Sequence, residues 1–170
     1  CFLTALGEPI ISRTTFRLHG SYRKREIFDS NIWKSAHPSL VIDSGVDNFF
    51  IAISKSRLPV FSYESTGVLQ CLSLNIPLVF FWHNGLDDLF PEAIPIYKLL
   101  IEAEILHENP ESAAEHIIKY WDDIYGWWDN GKVQSARKKF CNKYARKIND
   151  PIISLRDLLL GDMKSNIKKN

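Results

Sequence analysis

At 170 residues and ordinary globular composition (45% hydrophobic, 24% charged), the chain fits one domain with a buried hydrophobic core. A formal net charge of +1 supplies no global field toward nucleic acid or an anionic membrane, and no apolar run approaches the roughly 20 residues that span a bilayer. Three scattered cysteines, Cys1, Cys71 and Cys141, argue against a disulfide framework or a zinc site and suit a reducing compartment.

The start, Cys1-Phe2-Leu3-Thr4, has neither a basic signal-peptide region nor an initiator Met, and reads as the C-terminal piece of a longer protein. Pro9-Ile10-Ile11 and Thr14 to Leu18 are short β-branched, strand-like stretches. Ser21 to Lys34 is polar and basic, a loop with about one helical turn. Leu40-Val41-Ile42 reads as a small buried strand, and Val46 to Lys55 as a short amphipathic helix carrying Phe49, Phe50 and Ile53.

The clearest stretch follows. Leu58 to Ser62 is a strand with Pro59 near its start, Glu64-Ser65-Thr66-Gly67 a turn of helix-start residues, and Val68 to Asn75 a helix stopped by Asn75 and Pro77. Leu78-Val79-Phe80-Phe81-Trp82 is the near-continuous apolar run of a strand buried on both faces of a parallel sheet. Residues 58–82 therefore spell one β-α-β unit with a right-handed crossover.

Pro91 to Glu104 is helical and Ile105-Leu106-His107 a short strand. Asn109-Pro110 starts a further helix with an N-cap side chain and Pro at the first helical position. Ala113, Ala114, Ile117, Ile118, Trp121 and Ile124 continue it at helical spacing. Lys132 to Lys147 and Ile152 to Leu160 are the last helices, before a polar tail at 161–170. Alternation of strands and helices predicts an α/β protein with a mostly parallel sheet.

Four constellations can carry chemistry. In open parallel sheets, ligands bind beyond the carboxyl ends of the strands, where helix starts present N–H groups. Ser65, Thr66 and Gly67 occupy such a start and can hold a diphosphate, with Glu64 accepting from ribose hydroxyls. The same residues are equally explained as a helix cap beside a solvated carboxylate. The turn is neither a P-loop nor a Gly-x-Gly-x-x-Gly fingerprint. Arg17, at a strand end, can pair a phosphate, and His19 can act as donor or general base; a surface Arg and a structural His are the plainer reading.

After the buried strand, Trp82 can stack on a base or sugar ring and Asp87 or Asp88 can bind hydroxyls, with Tyr63 a further sugar or base contact. The plainer alternative is a Trp closing the core and acids preceding a helix. His83, Asp87 and Asp88 lack the spacing of a metal site. The aromatics Trp121, Tyr125, Trp127 and Trp128 are read as core rather than a carbohydrate platform. The basic residues from Arg137 to Lys147 are read as a solvated face rather than a membrane contact.

The segment Ser56-Arg57-Leu58-Pro59-Val60-Phe61-Ser62-Tyr63-Glu64-Ser65-Thr66-Gly67-Val68-Leu69-Gln70-Cys71-Leu72-Ser73-Leu74-Asn75-Ile76-Pro77 resembles the C-terminal domain of GT-B glycosyltransferases. More narrowly, it is similar to transferases of O-antigen and other surface-polysaccharide loci. The likeness extends to Glu111-Ser112-Ala113-Ala114, Trp121-Asp122-Asp123-Ile124, Trp127-Trp128, Phe140-Cys141 and Tyr144-Ala145-Arg146, and so runs from about Phe16 to Leu159. Glu64 stands where those proteins usually carry Asn, Gln70 where a carboxylate is common, and His19-Gly20 departs from their Arg-Leu-Tyr/His-Pro form.

The resemblance implies a Rossmann-like domain over residues 1–160, its parallel sheet flanked by helices, that binds a nucleotide-sugar donor and no other cofactor. It implies metal-independent transfer to a glycan or lipid-linked acceptor, and an acceptor-binding N-terminal domain upstream of Cys1. It also implies a cytoplasmic protein, peripheral at the inner membrane, with no nucleic-acid partner. The alternatives are a nucleotide-sugar 2-epimerase, which needs a denser set of carboxylates and histidines, and a non-catalytic carbohydrate- or protein-binding module built on the Trp121–Trp128 aromatics.

Overall fold

The computed structural model describes residues 1–18, 30–82 and 85–167. Of the candidates above, His19, the basic run at 23–25 and His83 lie outside the described residues.

Two short helices, α1 (Phe2–Leu6) and α2 (Glu8–Ile11), precede β1 (Thr15–Arg17). The stretch Pro9-Ile10-Ile11, expected to be extended, is helical. Pro9 sits in the first turn, where its missing N–H is not needed, and Ile10 and Ile11 turn into the core. After α3 (Ser30–Ala36), β2 (Val41–Asp43) pairs parallel to β1, with Thr15 opposite Val41 and Arg17 opposite Asp43. Helix α4 (Phe49–Ser54) is capped by Asn48, whose side chain accepts from the Phe50 N–H at 2.8 Å.

The β-α-β unit read from the sequence is present as β3 (Val60–Phe61), α5 (Thr66–Ser73) and β4 (Val79–Phe81). Asn75 ends α5 in the left-handed region at φ 58, and its side-chain oxygen accepts from the Trp128 indole at 3.1 Å. Helix α6 (Ile94–Glu102) leads into β5 (Leu106–His107). The strands β3, β4 and β5 form a parallel sheet in that order, with Val60 opposite Val79 and Phe80 opposite Leu106.

Asn109 caps α7 (Pro110–Tyr120) through the Ser112 N–H, as its sequence required. The helical pattern drawn through Trp121 to Ile124 breaks at 121–123. There Asp123 accepts from the Gly126 N–H at 2.9 Å and starts a separate α8 (Ile124–Trp128). Helix α9 (Gly131–Tyr144) packs against α5 and α6, and α1 lies along α7. The last helix, α10 (Pro151–Ile167), continues past residue 160, where a polar tail was expected.

Leu78, Val79, Phe80, Ile105 and Leu106 are buried at the centre of one continuous core, which explains the unbroken apolar runs of β4 and β5. The chain is thus an α/β protein with parallel strands flanked by helices, in a Rossmann-like arrangement. No helix among the described residues is long and apolar enough to cross a membrane.

Candidate functional site

Parallel pairing sends the carboxyl ends of β3 and β4 to the same edge of the sheet, at Phe61 and Phe81. Beyond Phe61 the chain turns through residues 62–65 into α5. Ser65 is the N-cap residue, extended at φ −143 and ψ 164, and its carbonyl accepts from the Val68 N–H at 3.0 Å. Its hydroxyl makes no capping hydrogen bond. The first N–H groups of a helix have no partner within it, so a side-chain cap does not occupy this start. The cap alternative for Ser65 therefore has no hydrogen bond behind it.

Gly67 has a specific packing reason to be glycine. A Cβ there would lie 2.8 Å from Phe61 Cε1 and 3.0 Å from Phe49 Cζ. The bare Cα lets these two rings close under the first turn of α5.

Glu64 does not simply reach into solvent. Its carboxylate accepts a hydrogen bond from the Tyr97 hydroxyl, which arrives from the first turns of α6. Tyr97 is buried, stacks on Trp82 with ring centroids 5.4 Å apart, and meets Phe140 edge-on at 5.2 Å. Burial, then the hydrogen bond and charge of Glu64, push the phenol far above its usual range, so Tyr97 remains a donor at every working pH. One tyrosine thus joins the loop after β3 to the residue after β4. Trp82 also turns its Nε1 inward, buried and without an acceptor among the described residues.

The site therefore gathers Glu64, Ser65, Thr66, Gly67 and Trp82 along one sheet edge. Tyr63 lies exposed on the same loop as Glu64, and Asp87 is exposed in the turn that follows Trp82. Arg17 sits on the other sheet. Its guanidinium pairs with the Asp43 carboxylate at 2.5 Å and also donates to the Asp47 carbonyl, so its charge is already compensated. Tyr97 is the site residue that the sequence reading missed. It was placed only as an apolar helix position, and a buried Tyr, which needs a partner for its hydroxyl, was the available signal.

Of the late aromatics, Trp127 and Trp128 are core, Trp121 is partly buried against it, and Tyr125 is exposed. Trp127 is 5% exposed and donates to the Ala103 carbonyl, Trp128 is 1% exposed, and Trp121 carries the Arg57 guanidinium 5.3 Å above its ring. Of this set only Tyr125 is well exposed, at 62%.

No curated protein and no solved structure matches the chain. Among models of known families, that of the LIC12162 family transferase matches residues 1–159. With nearly its whole length matched, and with a helix start open at the carboxyl edge of a parallel sheet, the chain belongs to the LIC12162 family of transferases.

Proposed function

We propose that this chain is the donor-binding domain of a GT-B glycosyltransferase that uses a nucleotide-activated sugar in bacterial surface-polysaccharide synthesis. The observation that carries the reading is the α5 start: a helix N-terminus at the carboxyl end of β3, with Ser65 not engaged as a side-chain cap, beside a carboxylate pinned by Tyr97. The N–H groups and hydroxyls of Ser65 and Thr66 hold the donor diphosphate, and the Gly67 N–H adds a third donor from the same turn. As the glycosidic bond to the diphosphate breaks, negative charge grows on the leaving oxygens. Fixed N–H dipoles stabilise that charge without reorganising.

Glu64 turns one oxygen to Tyr97 and offers the other to ribose hydroxyls. Its bond to Tyr97 holds the carboxylate off the anion, which accounts for a Glu where the similar transferases carry Asn. Trp82, at the end of β4, contributes a sugar or base contact, with Tyr63 and Asp87 beside it. In this reading the transfer is metal-independent, and the acceptor and its base belong to a further domain of the same protein.

Calorimetry of the full-length protein against uridine, guanosine, thymidine and cytidine sugar nucleotides tests this. One donor class is expected to bind, with at least tenfold weaker binding in Ser65→Ala/Thr66→Ala, about 1.4 kcal/mol. The absence of binding by any donor, or undiminished binding by the double variant, sinks the reading.

A further inference from the structure

A second site stands apart from the strand-end crevice, beside β5, at the end of the β3-β4-β5 sheet. There α6, its C-terminal turn and one face of α7 line a cleft of about 460 Å³ that is open to solvent on one side, within the size range of small-molecule sites. It shares no residue with the donor loop. Ile101 and Leu106 supply apolar wall. Glu104, Glu108 and Glu115 bring three carboxylates to it, against the single ammonium of Lys119. That ammonium is drawn over the Tyr120 ring, 4.7 Å from its centroid, and Glu108 and Glu115 make no ion pair with any described residue.

The second, independent feature is His116, which lines the cavity with a side chain only 2% exposed. Neither ring nitrogen has a hydrogen-bond partner among the described residues, and the Glu104 Oε2 carboxylate oxygen is 3.7 Å from Nδ1. Neighbouring His107 is engaged elsewhere, its Nε2 3.0 Å from the Glu104 carbonyl. Burial and the adjacent His107 pull the His116 pKa down to about 4, so at neutral pH the ring is uncharged and offers one lone pair and one N–H. A buried polar group without a partner is a standing cost that a bound ligand removes.

We propose that this cavity binds an aliphatic amine. Its ammonium group pairs with Glu104 and donates to the unpartnered His116 nitrogen beside it, Glu108 and Glu115 lending further negative charge, while its methylenes lie on Ile101 and Leu106. An excess of carboxylates disfavours phosphates and other anions. The volume is far larger than a bare ion needs, and no three His, Cys, Asp or Glu side chains among the described residues converge as metal ligands. The proposal is independent of the transferase reading, because its ligand carries the opposite charge and its residues are different.

The test is calorimetry of the full-length protein at pH 7.5 with butane-1,4-diamine, and with butane-1,4-diol as the uncharged match. Saturable binding of the diamine is expected, with none of the diol at the same concentration. Glu104→Gln/Glu115→Gln should weaken diamine binding at least tenfold, whereas Glu102→Gln, an exposed carboxylate outside the cavity, should leave it unchanged. Unaltered circular dichroism confirms that the variants are folded. No saturable diamine binding, equal binding of the diol, or a double variant that binds as well as the parent overturns the proposal.

Discussion

The Tyr97 hydroxyl donates to the Glu64 carboxylate, and through that bond α6, the helix between β4 and β5, fixes the loop before α5. Tyr97→Phe keeps the ring stacked on Trp82 and removes only the donor. Glu64 is exposed and regains water, so the expected loss is about 1–2 kcal/mol, less than for a buried carboxylate. Urea unfolding measures it. The account also expects weaker donor binding by Tyr97→Phe, through a loosened Glu64, with the Trp82 fluorescence environment preserved.

Gly67→Ala adds a methyl group 2.8 Å from Phe61 and 3.0 Å from Phe49. Alanine's better helix propensity returns up to ~1 kcal/mol, while displacing two rings costs ~1–3 kcal/mol. A net loss of about 1 kcal/mol is expected in the urea midpoint. A stabilised variant would mean that the rings do not pack under α5.

Buried His116 ties stability to pH. Its native pKa of about 4 lies below the ordinary 6.5, so between these values the unfolded chain takes up a proton that the native state refuses. Its contribution is fully present above pH 6.5 and is lost as pH falls toward 4, on the order of 3 kcal/mol for a gap of this size. His116→Phe, set among Tyr120 and Trp127, is expected to flatten this limb of the stability–pH curve. An unchanged slope contradicts the assignment.

Trp128→Ala removes a 1% exposed indole and its bond to Asn75. The expected cost is ~3–5 kcal/mol, read by thermal unfolding. Trp127→Ala should likewise destabilise the fold rather than remove an exposed glycan-stacking surface.

Much of this was legible where local signals agreed. The run from Leu58 to Trp82 combined a buried apolar strand, helix-start residues and an Asn-x-Pro stop, and the structure has that β-α-β unit. The Asn109-Pro110 start was equally plain. Where one signal stood alone it misled: β-branched content suggested extension at Pro9 to Ile11, but Pro9 suits a first helical turn. Continuous helical periodicity hid the break at Asp123, although an Asp three residues before Gly126 can form a cap, and here does. The Tyr97–Glu64 contact joins residues 33 apart and has no local pattern at all. The same holds for His107 and His116, which α7 brings together across β5.

The claim that matters most is that the α5 start holds the donor diphosphate. Amide proton–nitrogen spectra of the full-length protein, recorded while a nucleotide sugar is added, test it most directly. The account predicts that the Thr66 and Gly67 amide protons move furthest, downfield, as they donate to the diphosphate. Saturable binding with those two signals unmoved would place the donor elsewhere and contradict it.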